Sequence, residues 1–246
     1  MNPSVHPRRL SLLLGVMLVP MIGSCTEKAD TVLASIVWFT EQEPDLDPYR
    51  TRMIVTQRYL RIDEGDDGGD FLLFDRKKKT IYSTNTQDRR VLVIHPRPLA
   101  KPSPLALEHQ ELKDDTHYPP VGGRPVVHYR YFTNRELCLD VFSAEGLLPP
   151  VTQALREYHN VLAGEQAVLL AAPEFMTPSG CDLANNIYVP SRHLQRGFPI
   201  RQQDMTGRTR ELQDFTRAIA VKSELFHLPR SYTFFTVEDL RRGEAS

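Results

Sequence analysis

The residues that could do chemistry here are two acidic runs and a scatter of histidines. DEGDDGGD, Asp63 to Asp70, places five carboxylates within eight residues. Calcium takes six to eight oxygens at set spacings, and the EF-hand pattern is not met. The run reads as a solvated acidic turn, and EQEPDLDP, Glu41 to Pro48, reads the same way. HQELKD, His109 to Asp114, is not H-E-x-x-H, so no zinc helix follows. C-x-x-C, G-x-S-x-G and Walker patterns are missing from the sequence. His193 lies near Asp182 in the chain, but a His–Asp couple needs a nucleophile and none is in view. His159 reads as a polar-face helix residue. Of His128 and Tyr129 in a strand pattern, one should face the core and the other solvent. No catalytic, cofactor-binding or metal residue is nominated. The chain is expected not to be an enzyme, with a hydrolase of unknown type kept as the third reading.

Cys25 is the residue placed for a defined modification. MNPSVHPRR carries Arg8 and Arg9 and no acid, and Leu10 to Ile22 is dominated by apolar side chains. A basic start before an apolar run of about 7–15 residues is the export-signal pattern. A membrane-spanning helix needs about 20 apolar residues, and Pro20 weakens the end of this run. Residues 1–24 are therefore expected to be a signal peptide. Ile22-Gly23-Ser24-Cys25 resembles the bacterial lipobox, in which a branched aliphatic and two small residues precede a cysteine. The resemblance implies that Cys25 takes a diacylglycerol, and that its new amino terminus is acylated by palmitate or a similar chain. The alternative is an unmodified thiol near an ordinary cleavage site. Several acyl chains, at about 0.8 kcal/mol per buried methylene, make a stable membrane anchor. Residue 26 is Thr. In the lipoprotein family an Asp there is similar to an inner-membrane retention signal. Its absence favours the outer membrane, facing the periplasm, in an organism with two membranes.

Removing residues 1–24 of 246 takes away Arg8 and Arg9 and no acid, so 222 residues of net charge −3 remain. That balance is no footprint for nucleic acid, and the length suits one domain, residues 25–246. Three cysteines are present. If Cys25 is lipidated, Cys138 and Cys181 remain, an even pair in an oxidising compartment, and a disulfide is the natural reading. It would close a loop of about 40 residues and contribute roughly 2–4 kcal/mol. Two buried free thiols are the alternative; a reactive thiol would need a partner histidine.

These groups must be positioned by a mostly antiparallel sheet. Thr31 to Phe39 is β-branched and aromatic and reads as a strand starting just after Cys25. Arg52 to Ile62 reads as a second strand. DFLLFD, RKKK, TIYSTN, TQDRR and VLVI read as a meander of short strands and polar turns. RKKK, Arg76 to Lys79, reads as a solvated hairpin turn; the alternative is contact with anionic headgroups beside the anchor. Residues 95–125 hold seven of the 19 prolines. They read as a long connection with one short element around Leu105 to Asp114. PVVHYRYF, a turn at Thr133-Asn134-Arg135, and ELCLDVF resume the sheet. Pro149-Pro150 then open the best helix, with Val151, Leu155, Tyr158 and Leu162 at helical spacing and Gly164 as its expected stop. EQAVLLAAP fits either a continued helix or a buried strand. NIYVP, GFPIRQQDM, TRELQDFTRAIAV and SELFHLPRSY read as returning strands. Thr236 followed by Asp239 is a helix cap for the tail.

A meander, one main helix and a final set of strands resembles the half-open β-barrel of the outer-membrane lipoprotein carrier family and its relatives. FLLFDRKKKTIYSTNTQDRRVLVI and Gly197-Phe198-Pro199 carry the likeness. So does Phe226-His227-Leu228-Pro229-Arg230-Ser231-Tyr232, similar to an F-x-L-P-x-G-Y ending with Ser231 in place of glycine. The resemblance implies an α+β fold: an antiparallel, strongly curved sheet with the helix packed on or in its concave face. It also implies that this face holds acyl chains or another apolar ligand, and it implies no catalytic residue. A carrier travels, whereas this chain looks anchored. The expected function is thus a lipid-anchored cell-envelope binding protein holding an apolar ligand or a lipoprotein or envelope partner. The alternative is an envelope assembly or interaction scaffold whose barrel is filled with side chains.

Overall fold

The computed structural model describes residues 30–99, 102–170 and 178–244; the expected signal peptide and the expected lipidation site, Cys25, lie outside them. The alternating TVLASIVWFTEQ run forms β1 (Thr31–Gln42). It is followed by β2 (Tyr49–Val55), β3 (Tyr59–Asp63), β4 (Phe71–Asp75), β5 (Thr80–Asn85) and β6 (Arg90–Ile94). Then come β7 (His109–Val121), β8 (Arg124–Thr133) and β9 (Glu136–Ala144). The long helix α1 (Pro149–Leu170) and the short α2 (Gly180–Leu183) precede β10 (Phe198–Asp204) and β11 (Thr209–Lys222). β12 (Thr233–Thr236) and α3 (Val237–Arg241) close the described chain.

The strands form one sheet in the order β12-β6-β5-β4-β3-β2-β1-β11-β10-β9-β8-β7. Every neighbouring pair is antiparallel except β12 with β6. The expected α+β class, with a mostly antiparallel sheet and one main helix, is what the chain adopts. Among the described residues no helix is long and apolar enough to cross a membrane.

Part of one face of the sheet is covered by α1. Val151, Ala154, Leu155 and Val161 pack into a buried cluster with Phe39, Met53, Leu60, Phe74, Ile81 and Phe198. Tyr158 meets the edge of Phe74 with ring centroids 6.1 Å apart. The Val and Leu side chains are each worth about 1.5–3 kcal/mol when fully buried, and those of α1 fill the part of this face around Phe39, Phe74 and Phe198. A smaller apolar layer lies elsewhere, where Ala34, Ile54, Phe71, Leu73 and Val221 are covered by Phe226. Arg61 is buried there, its guanidinium 4.0 Å from the Phe71 ring centre. It pairs with Asp63 and donates to the Leu225 and Asp67 carbonyls. Three acceptors compensate the charge taken from water.

Several elements differ from the sequence reading. Arg52 to Ile62 is a hairpin, because the Thr56 hydroxyl accepts from the Arg58 and Tyr59 amides and turns the chain. The proline-rich connection expected over 95–125 is shorter, and its second half is strand β7. HQELKDDTHYPPV carries no alternation because β7 is an edge strand, largely exposed. Pro119 and Pro120 are tolerated there because an edge has amides without ladder partners. Gly164 does not stop the helix. It lies inside α1, where a Cβ would overlap the Arg97 carbonyl oxygen. EQAVLLAAP continues α1 as far as Leu170, the end of its described part. NIYVP enters a π-helical turn, Ala184–Tyr188, rather than a strand. SELF in SELFHLPRSY forms a 3-10 turn, Ser223–Phe226, with Phe226 stacked on Tyr59 at 5.4 Å. The Thr236–Asp239 capping box forms as read.

Alanine normally stabilises an exposed helix interior by about 1 kcal/mol over glycine. At position 164 the Arg97 backbone should reverse that sign. Gly164→Ala is therefore expected to lower the urea midpoint of unfolding, whereas propensity alone would raise it.

Candidate functional site

The Asn134 and Arg135 turn between β8 and β9 has both residues at positive φ, as a tight hairpin requires. It sets Cys138 at the start of β9, where it bonds Cys181 of α2 with Cα atoms 5.1 Å apart. The expected Cys138–Cys181 disulfide is present. It holds residues 179–195 against the sheet: the Asn185 amide donates to the Cys138 carbonyl, and Arg192 donates to the Phe132 carbonyl and the Thr133 hydroxyl.

Between this pinned segment, α1 and the ends of β1, β10 and β11 lies a cleft of about 320 Å³. Its wall is polar. His159 and Gln166 come from α1, Asn185, Asn186 and His193 from the pinned segment, and Gln202, Arg210 and Glu41 from the sheet. Glu41 and Arg210 are register partners across β1 and β11, with 2.9 Å between Oε1 and Nη2. His159 and His193 face one another with ring centroids 6.0 Å apart. The His159 ring hydrogen-bonds the Pro190 carbonyl, while its Nδ1 and the Nε of Arg210 are buried without a partner among the described residues.

Both histidines are held neutral. Burial takes His159 down to about 4, and the Arg210 charge adds to the shift. Burial takes His193 down to about 3, with His159, Arg192, Arg210 and Arg156 acting in the same direction. Two neutral imidazoles can donate or accept hydrogen bonds and can take up a proton. The cleft thus suits a polar, hydrogen-bonding occupant.

His159 is not the polar-face residue the spacing implied, because the pinned segment covers the part of α1 that carries it. The His193–Asp182 couple does not form. Asp182 instead caps α2, its Oδ2 accepting from the Ser179 amide and hydroxyl. His128 stacks on Phe142 at 4.3 Å and reaches Asp140 at 2.9 Å and Asp114 at 3.4 Å, while Tyr129 is buried. The acidic run is occupied structurally: Asp63 and Asp67 pair with Arg52, and Asp70 accepts from Thr86. Among the described residues no three metal-ligating side chains converge. Glu41, Arg210, Asn185, Asn186 and Gln202 were not nominated from sequence. Glu41 and Arg210 are 169 residues apart, and only strand pairing joins them.

No family model matches the chain, and no curated protein matches it. Similar solved structures include an uncharacterised conserved protein from Thermus thermophilus, at 8% identity and a TM-score of 0.43, covering 82% of this chain and 90% of that one. PNGF-II is similar in two crystal forms. In one, identity is 9% and the TM-score 0.41 over 87% of this chain and 32% of that one. In the other, identity is 9% and the TM-score 0.39 over 86% and 33%. The chain spans about a third of the length of PNGF-II.

Two outcomes are expected from this geometry. In the unfolded chain both histidines titrate near 6.5, so as pH falls the unfolded state takes up protons first. Stability should fall from about pH 6.5 towards the depressed native values near 3–4. A His159→Gln/His193→Gln variant should show a flatter dependence of Tm across that window. Reducing the disulfide should cost about 2–4 kcal/mol in urea unfolding, and a Cys138→Ser/Cys181→Ser variant should match the reduced protein.

Proposed function

We propose that this chain is a lipid-anchored cell-envelope interaction protein, held through Cys25, that receives a polar segment of an envelope protein partner in the His159–His193 cleft. The observation that carries the reading is the position of the cleft. Residue 30, five residues after Cys25, enters at the start of β1 beside Ser223. Glu41 lies ten residues beyond Thr31 along the same strand, about 33 Å away at strand rise. A membrane-tethered domain would then carry its cleft at the end remote from the bilayer.

The filled face supports the scaffold alternative over an apolar ligand held inside the sheet. Phe39, Phe74 and Phe198 already have α1 side chains as their neighbours, and the cleft wall is lined by amides, imidazoles and an ion pair. The amides of Asn186, Gln202 and Gln166 match the donors and acceptors of an extended peptide, whereas that of Asn185 is engaged by the Cys138 carbonyl and Arg192. We read the sheet as the half-open barrel of the lipoprotein carrier resemblance. Its run of antiparallel neighbours from β6 through to β7, with α1 inserted between β9 and β10, supports that reading. A fixed anchor fits a stationary scaffold or acceptor rather than a travelling carrier.

Two measurements test this. Intact mass of the protein purified from membranes should lack residues 1–24 and carry diacylglyceryl plus one acyl chain. A Cys25→Ser variant should carry neither and should leave the membrane fraction. A photo-crosslinking residue at Gln202 should then capture a discrete envelope protein in cells, and one at the β7 edge, at Gln110, should not. Capture from Gln110 alone would move the partner surface to the edge strand.

A further inference from the structure

We infer that the sheet end where the anchored chain enters is a docking surface for an anionic lipid bilayer, made by the turns around Arg58 and Lys77-Lys78 together with Lys222. The inference rests on the Cys25 anchor proposed above. The anchor sets which end of the domain meets the membrane, and the residues at that end set what it meets.

Antiparallel pairing decides which turns share this end. β1 starts there, so β2 ends there and β3 begins there; β4 ends there and β5 begins there; β11, paired to β1, also ends there. The β2–β3 turn carries Arg58, the β4–β5 turn carries Arg76 to Lys79, and β11 ends on Lys222, the register partner of Thr31. Contacts link them into one surface. Ser223 donates from its amide to the Asp30 carbonyl and from its hydroxyl to the Asp30 carboxylate. Phe226, at the end of the same 3-10 turn, stacks on Tyr59, and Arg58 lies 4.9 Å over the Tyr59 ring. The Arg76 amide donates to the Arg58 carbonyl, and its guanidinium donates to the carbonyls of Thr56 and Gln57.

The charge on this surface is not cancelled. The two turns hold five cations, Arg58, Arg76, Lys77, Lys78 and Lys79. Two carboxylates answer them: Glu157 takes Arg76 and Lys79, and the buried Asp75 takes Arg58. Lys77, Lys78 and Lys222 are exposed, and none has an ion pair among the described residues. Glu224 and Asp30 are the exposed carboxylates next to Lys222, which leaves six cations against four acids on this surface. A chain of net charge −1 thus concentrates positive charge where its anchor enters. The five residues from Cys25 to Asp30 reach at most about 18 Å when fully extended. The Debye length is about 8 Å at physiological salt, so basic side chains on the entry face sit inside the field of anionic headgroups when the tether is drawn in to less than half that reach. Each Lys or Arg close to such a surface strengthens binding by about fivefold.

The test uses the mature protein purified from membranes. Its intact mass is measured first, and it is reconstituted into phosphatidylcholine vesicles with or without phosphatidylglycerol. Lysine acetylation rates are then read by mass spectrometry. Lys77, Lys78 and Lys222 should react severalfold more slowly on the anionic vesicles, while Lys113 on β7 reacts equally on both. Salt of about 1 M, which shortens screening to about 3 Å, should remove the difference. A Lys77→Glu/Lys78→Glu variant that melts as the wild type should lose the protection of Lys222. Equal labelling of Lys77 and Lys78 on both vesicles, in protein whose mass carries the lipid, would overturn the docking surface and leave the anchor standing. A mass without lipid would overturn the anchor, and this inference with it.

Discussion

One helix has to cover a very wide sheet. Twelve strands with eleven gaps of about 4.8 Å extend about 53 Å along the sheet, and a 22-residue helix is about 33 Å long. The apolar stripe of α1 can therefore seal only part of one face. The rest must be closed by other segments or left wet. The stretch 179–195 takes up that task on the same side as α1, and the 3-10 turn at Ser223–Phe226 covers the smaller apolar layer around Ile54 and Leu73. Both segments are built from short helical turns of four or five residues, so each is tied down individually. The Cys138–Cys181 bond fixes the first, and Arg61, donating to the Leu225 carbonyl, fixes the second.

The polar cleft follows from this incomplete cover. Where α1 stops sealing and the pinned segment begins, the two do not meet as apolar surfaces. The wall is made of side chains that tolerate partial burial, namely amides, imidazoles and the Glu41–Arg210 pair. Burial there costs the charged form of each histidine more than the neutral form. Fold and electrostatics thus share one cause, and the disulfide belongs to both because Cys181 lines the cleft as well as clamping it. The remaining rows of unpaired backbone are at the edges. β7 presents prolines and charges of both signs, and β12 is four residues long, both of which discourage further strand addition.

Turns and the main helix were legible because their signals are local. RKKK, TQDRR and Thr133-Asn134-Arg135 fall between short apolar runs, and Pro149-Pro150 mark a helix start wherever they stand. The misreadings share a different feature. β7 has no alternation because its face has no neighbour to bury against. His159 looked solvent-facing because the segment that covers it is some thirty residues further along the chain. Gly164 looked like a stop because nothing near it in sequence announces the Arg97 backbone crossing at that point. Asp182 looked like a partner for His193 but serves its own helix cap, a local use that outcompetes a distant one.

By itself, then, the sequence determined the α+β class, the order of most strands and turns, the main helix, the tail cap and a pairing of Cys138 with Cys181. Each rests on side-chain periodicity, turn chemistry or counting, which need no knowledge of distant contacts. Only the tertiary structure decided that α1 fills its part of the sheet face, that His159 and His193 meet, that Glu41 finds Arg210, and that Arg58, Lys77, Lys78 and Lys222 share the end where the chain enters. Those are consequences of strand register across separations of up to 169 residues. Register is set by which faces must be buried together, a property of the assembled sheet and not of any stretch within it.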